Sequence, residues 1–569
     1  MFKRRVFPKL NSFRIAVCEK TGLPLGILLG WIVAAIWGAL NAWIYRERMN
    51  PDAMSYLDMA NEALQHGPGA LVNPYWGPFY PALIAISNLV LQPGPTEEFT
   101  YVHALNAVIY FAAAVTFGLL LRELILFRAA ERGPLWRQEA LIVFGFALFF
   151  CYTNIHILPF AVTPDLLLST AVFAAAALYF RALRLSNRAP YIALGCALAL
   201  GYFAKAIIFP AAVILFVVLL VCRYRSRPHV KNVLVAAGTL VLISAPQIIA
   251  ISARVGHVTI SEAGRLNYLW YVQGLHQFEG WTGTPGGDMP LHGPRQVISD
   301  PEVLEFATPV AGTYPLWYDP AYWYAGAKIH FDSKKQFDAV AECLNFYRDF
   351  FPVLFFPLGG LVALAIVSIS AHRRPNDAEC WFMLWPATMV LVYTMINIEF
   401  RYLAPWLILF FIGGYGAVLW RNSFLERVLL LSLALILLIP PVLRLGVTLR
   451  TPSARELSKE IRVTRDLTKM GINPGDGIAT VGKGFNHYYA HAARVHIVAQ
   501  ITNADDFWSL SADDALEVEQ SVGRTGAKAL VGSYRPSSFQ PNSWRSVAGT
   551  GYSILPLGQS TNRTSLPVR

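Results

Sequence analysis

The chain has 569 residues, 55% of them hydrophobic and 15% charged, with a mean hydropathy of +0.42. A soluble domain carries about 25% charged residues, so a soluble globular enzyme, a disordered chain and a nucleic-acid-binding module are all excluded. The formal net charge of +11 belongs to membrane topology, because Lys and Arg gather before the first apolar run and in short loops between later ones.

Residues 1–22 hold Lys3, Arg4, Arg5, Lys9, Arg14 and Lys20 and read as a basic cytoplasmic N-terminus. The first span covers 23–45. It is too long for a signal-peptide core and no small-residue cleavage site follows, so it is expected to be retained. Further runs at 99–124, 139–160, 166–180, 191–204, 207–222, 233–251, 350–369, 381–396, 403–420 and 428–445 bring the expected count to eleven. The apolar run Phe79–Leu91 is short for a span and reads as an interfacial or re-entrant helix. If it does not cross, the inside loops 122–137, 181–188, 223–231, 372–379 and 421–427 carry 4, 3, 4, 2 and 2 Lys or Arg. If it crosses, every later loop inverts and the basic ones face out, against the positive-inside rule.

The expected fold is therefore mainly α. A polytopic transmembrane helical bundle of about eleven spans occupies 23–445, with outer loops at 46–98 and 254–348. A small extracytoplasmic α/β domain occupies 446–569, where an amphipathic helix over 455–470 precedes alternating strands and helices. The expected location is the cytoplasmic (inner) membrane, with the site and the C-terminal domain on the outer face. Six cysteines in so long a chain make no disulfide framework.

The polar residues of interest collect on that outer face. Asp52 lies just past the first span, with Tyr56 and Asp58 following. Asp52 also stands where a helix N-cap would, directly after Pro51. Asp165 begins a later span behind Pro164, again a capping position. Lys205 lies between two apolar runs, where a cation either snorkels to the surface or binds an anion. Arg401 sits in a short outer turn beside Glu399, as an ordering ion pair or as a fork for phosphate. The loop 254–348 is rich in Trp and Tyr, for the interfacial belt, for sugar stacking or for a lid, and its stretch 280–294 is too rich in Gly and Pro for helix. In the tail, His487, His491 and His496 lie close together without a clear partner carboxylate, and Gly482-Lys483-Gly484 is no phosphate fingerprint. Both read as structural. No metal-ligand cluster has a recognisable spacing.

The order of these motifs resembles the GT-C superfamily of membrane glycosyltransferases, in particular the branch of protein O-mannosyltransferases and lipid A aminoarabinose transferases. The resemblance rests on Asp52-Ala-Met-Ser-Tyr56-Leu-Asp58, on Asn73-Pro-Tyr-Trp-Gly-Pro-Phe-Tyr-Pro81 and on Thr163-Pro164-Asp165. Gly195…Gly201-Tyr-Phe-Ala-Lys205 and Glu399-Phe-Arg401-Tyr402-Leu-Ala-Pro405 complete it. It covers roughly residues 20–445. Many members carry a second acid directly after the first; here that position is Ala53.

The resemblance implies transfer of a sugar from a polyprenyl-phosphate carrier to a lipid, glycan or protein acceptor, within membrane lipid. It implies Asp52 as general base, with Asp58 and Asp165 as further candidate acids. Lys205 and Arg401 are implied as donor-phosphate ligands, with Tyr56 and Tyr402 in support. No cofactor is firmly implied, and a divalent metal has no support in the sequence. The alternative reading is a lipid or polysaccharide transporter or assembly protein of the cell envelope. Transporters often carry internal repeats, and none is visible here.

Overall fold

The computed structural model describes residue 18 and residues 21–557, except 130–137, 159–160, 186, 224–225, 285–286, 307, 310, 371–376, 419–423, 451–454, 534 and 537–542. The basic N-terminal cluster and parts of the loops expected inside, among them 130–137 and 371–376, lie outside the described residues.

The helices of the apolar bundle are α1 (Leu25–Ile44), α4 (Glu98–Phe127), α5 (Glu139–Tyr152), α6 (Asp165–Arg184), α7 (Ala189–Ala204), α8 (Ile208–Cys222) and α9 (Arg227–Val255). They continue with α11 (Ser333–Ser370), α12 (Asp377–Thr394), α13 (Phe400–Val418) and α14 (Phe424–Arg450). Each expected run therefore has its helix. Among the described residues seven helices are long and apolar enough to cross a bilayer alone, or eight if the bent pair within α11 counts as one span. The expected eleven is not confirmed: α7 and α8 run only 16 and 15 residues against the roughly 20 that a crossing needs, and the 18-residue α12 is not among the helices that qualify.

Small residues set the packing. The buried face of α1 is Ile27, Gly30, Ala34, Gly38 and Asn41, at helical spacing. A Cβ on Gly30 would lie 2.5 Å from the Phe146 ring of α5, so only glycine lets the two helices meet there. In lipid, close van der Waals packing of this kind replaces the hydrophobic drive between helices. α6 is central: it packs against α4 and α7, and 72% of its apolar window is buried.

The two loops expected outside and the tail cover one end of the bundle. The first loop forms α2 (Pro51–His66) and α3 (Phe79–Leu91), the latter over the short run that read as interfacial. The second, beyond α10 (Ala263–Tyr271), packs its aromatics inward: Tyr314, Trp317, Tyr318, Trp323 and Tyr324 are buried. It is pinned to the first loop by Ser55 Oγ donating to Trp317 O at 2.9 Å, Asn73 Nδ2 to Tyr318 O at 2.9 Å and Trp76 Nε1 to Trp317 O at 3.0 Å.

The tail adds α15 (Arg455–Lys469), α16 (Ala512–Gly523) and a mixed sheet. Its strands are β1 (Arg295–Ser299), β2 (Glu302–Glu305), β3 (Gly477–Val481), β4 (His496–Ile501), β5 (Ala529–Ser533), β6 (Arg545–Ser546) and β7 (Tyr552–Pro556). The order is β1-β2-β4-β3-β5-β7-β6. β3 runs parallel to both β4 and β5, and β2 pairs antiparallel with β4, Val303 opposite Ile501. The sheet thus draws two strands from the loop between α9 and α11, outside the stretch 446–569 expected to form this domain.

Candidate active site

Asp52 lies in the first turn of α2. Asn50 is the N-cap residue and Pro51 supplies the first helical position. The Asn50 side chain accepts from Val162 N at 2.8 Å, which ties this helix start to the turn before α6. Asp165 opens α6 behind Pro164, and its side chain is fully buried. Lys205 ends α7 in extended conformation. The first loop closes on that point, since a Cβ on Gly77 would fall 2.4 Å from Ala204 O. Arg401 lies in the first turn of α13. Four elements far apart in sequence thus bring their ends together.

The side chains form one network. Arg401 Nη1 donates to Asp52 Oδ2 at 2.9 Å and lies 3.6 Å from Asp165 Oδ2, while Arg401 Nε donates to Glu399 Oε2 at 2.6 Å. Lys205 Nζ donates to Asp165 Oδ1 at 2.5 Å and stands 4.5 Å over the Tyr402 ring. Arg401 Nη2 reaches Tyr402 Oη at 3.5 Å, and that hydroxyl donates to Glu399 Oε1 at 3.3 Å. Both alternatives read for Arg401 are therefore present at once: the ordering pair with Glu399 exists, and the guanidinium also reaches Asp52 and Asp165. Three carboxylates face two cations, so each charge meets an opposite one at short range.

This network borders a cavity of about 860 Å³. Asp52, Tyr56, Lys205, Glu399, Arg401 and Tyr402 line it, and Ile207, Pro210, Phe346, Val392 and Ile396 give it an apolar side. Tyr75, Trp76 and Trp317 add aromatic faces. The wall also includes His156, Ile157 and Leu158, where α5 ends in a π-helical turn over Thr153–Ile157. Such turns recur where a helix must re-aim side chains at a site. Asp52 is 16% exposed, Arg401 19% and Lys205 22%, so the charges are held by the protein yet open to the cavity. Among the described residues no group of three or more His, Cys, Asp or Glu is arranged to hold a metal ion.

Asp58 lies elsewhere, and its position corrects its pairing with Asp52. Six residues along an α-helix turn the side chain by about 240°, whereas Tyr56, four residues on, stays on the cavity face. Asp58 Oδ2 accepts from Thr313 N at 2.7 Å, and Asp58 Oδ1 accepts from Thr313 Oγ1 at 2.9 Å and lies 2.8 Å from His491 Nδ1. His491 Nε2 is 3.0 Å from Glu98 Oε2, which also accepts from Arg494 Nη2 at 2.9 Å. His491 therefore has two partner carboxylates, where the sequence offered none. Burial disfavours its charged form, but the Glu98 charge and the bonds to Asp58 and Glu98 outweigh burial and push its pKa up to about 9. This sealed cluster rivets α2 and α4 to the tail domain.

No protein-family model and no curated protein matches the sequence. The likeness lies in three dimensions, and it is a likeness of fold. The chain is similar to ArnT from Cupriavidus metallidurans in the apo state, with a TM-score of 0.52 at 12% identity over 93% of this chain and 98% of that one. It matches ArnT from the same organism bound to undecaprenyl phosphate equally well, with a TM-score of 0.52 at 11% identity over 94% and 98% of the two chains.

Proposed function

We propose that the chain is an integral-membrane glycosyltransferase that moves a sugar from a polyprenyl-phosphate carrier to an acceptor on the outer face of the cytoplasmic membrane. The observation that carries this reading is the Asp52–Arg401–Asp165–Lys205 network on the wall of a large, mainly apolar cavity. The likeness to an ArnT structure bound to undecaprenyl phosphate supports the same class of donor.

In this reading the carrier's phosphate lies against Lys205 and Arg401, and its lipid tail lies along Ile207, Pro210 and Val392. Lys205 commits one N–H to Asp165 and Arg401 commits three to Asp52, Glu399 and Tyr402. An ammonium has three donors and a guanidinium five, so both retain N–H groups for phosphate oxygens. Asp52 accepts the proton of the acceptor hydroxyl as that oxygen bonds the anomeric carbon. The bond from that carbon to the phosphate oxygen breaks, and the electron pair leaves with the polyprenyl phosphate. Lys205 and Arg401 stabilise the charge that grows there. Asp165 is fully buried and touches both cations, so it positions them and does not meet the acceptor. Tyr402 braces Lys205 and Arg401, and Tyr56 shares the Asp52 face of α2.

The test is transfer from a labelled polyprenyl-phosphate sugar in reconstituted vesicles. Asp52→Asn should slow transfer about 100-fold or more while the protein melts normally. Near-normal transfer by that variant rejects Asp52 as the base.

A further inference from the structure

The outer domain holds a second cavity, of about 420 Å³, which the transfer reaction does not use. Its walls come from residues 47–49 at the start of the first outer loop, from Lys459 and Glu460 of α15, and from loops beyond the carboxyl ends of the parallel strands. Gly482 and Lys483 follow β3, Ala504 lies beyond β4 and Ser533 ends β5. The chain leaves β3 for β4 on one side and then crosses to β5 on the other. The loops after β3 and β5 therefore diverge, and in open parallel sheets ligands bind in the crevice at such a switch point.

The chemistry of the walls points to a ligand. His487 lines the cavity and is only 5% exposed, and its Nδ1 is buried without a hydrogen-bond partner. A buried polar atom left unsatisfied calls for a partner that the folded chain does not supply. Burial pushes the His487 pKa down to about 4, so the neutral ring offers one donor and one acceptor. Two acids line the wall: Glu460 accepts from Tyr489 N at 2.8 Å and from Tyr552 Oη at 3.2 Å, and Glu47 lies 3.7 Å from Arg46. Lys459 has no ion pair among the described residues, which leaves a positive charge at the rim. Phe485 and Tyr488 give ring faces, and Ser533 and Thr550 give hydroxyls. The volume falls within the ordinary range of small-molecule sites.

We propose that this cavity binds an anionic saccharide, one bearing a phosphate or a carboxylate group. Lys459 meets the charge, His487 and Ser533 meet hydroxyls, and Tyr488 lies against the sugar face. Arg48 and Met49 line both cavities, so a saccharide held here abuts the start of the helix that carries Asp52. Resting on the transferase reading, that saccharide belongs to the acceptor, and the reading gains the chemical class of one substrate.

The test is calorimetric titration of the full-length protein in detergent with glucose 6-phosphate, galacturonate, glucose and inorganic phosphate. The two charged sugars should bind at least tenfold more tightly than glucose. Lys459→Gln should weaken both at least fivefold with an unchanged melting temperature, and His487→Gln should weaken them as well. Equal affinity for glucose, or unaltered affinity in both variants, overturns the site. Inorganic phosphate binding as tightly as glucose 6-phosphate overturns its saccharide part. In the transfer assay Lys459→Gln should raise KM for the acceptor alone; a raised donor KM instead removes the acceptor assignment. Failure is separable from that of the transferase reading. Absent titration beside a dead Asp52→Asn removes only this site, and a normal Asp52→Asn leaves the titration standing.

Discussion

One helix, α2, feeds two clusters of carboxylates and cations, and they differ in access. Around Asp52 the charges open onto a cavity, with Arg401 19% exposed. Around Asp58, His491 and Glu98 are each 1% exposed, and the cluster meets solvent through Arg494, 30% exposed, rather than through a cavity among its carboxylates. Both clusters satisfy their charges internally. Only the first leaves its donors room to exchange a protein partner for a ligand, so accessibility, not the density of charge, marks the reactive site.

The comparison breaks most readily at the two aspartates. Asp52→Asn should slow transfer about 100-fold or more if it removes a general base. Asp58→Asn should leave turnover within about threefold and instead lower the melting temperature. A reversed pattern would exchange the roles of the two clusters. Next in size, Arg401→Ala and Lys205→Ala should each weaken binding of a polyprenyl-phosphate analogue about tenfold and also slow transfer, because charge on the phosphate grows as its bond to the sugar breaks. Arg401→Lys should recover part of the loss, since an ammonium lacks the planar fork. Unchanged analogue affinity with lower melting temperatures would make the open cluster as structural as the sealed one.

The sealed cluster is sharpened by pH. His491 carries a pKa raised from the usual 6.5 to about 9, so protonation favours the folded state. That contribution, about 3 kcal/mol, is complete below pH 6.5 and is lost as the pH climbs through 9. Melting temperatures from pH 6 to 10 should fall in the parent protein and flatten in His491→Gln; parallel curves would contradict the pairing. The smallest expected effect is Glu399→Ala. Arg401 keeps Asp52 and Asp165, so analogue affinity should change by less than about threefold. A loss equal to that of Arg401→Ala would assign Arg401 to the Glu399 pair alone.

Much of this was legible in the residues. Apolar runs foretold the membrane helices, and Phe79–Leu91 matches its helix at both ends. Asp52, Lys205 and Arg401 stood out as charges beside apolar runs at one face, and the structure gathers them although they lie far apart in sequence. Asp58 misled because proximity along the chain outweighed the turn of the helix. The partners of His491 escaped notice since Asp58 and Glu98 precede it by some 400 residues, beyond any local pattern. The aromatics of the second loop read as belt or lid because burial against another loop leaves no periodic trace. β1 and β2 stayed hidden because they are two short strands just after the Gly- and Pro-rich stretch, and the strand that pairs with β2 lies far along the chain in the tail.

The pairing of Val303 with Ile501 bears on how the chain matures. The strand in the loop is synthesised well before its partner, because α11 to α14 lie between them. Until the tail arrives, β2 carries an open row of N–H and C=O groups, an edge that another chain could extend. Closure over so long a separation is entropically slow to nucleate. A ribosome-stalled chain released before residue 496 should therefore be sensitive to protease within 295–305, whereas the finished chain resists it. The sheet can be completed only after the tail has been made.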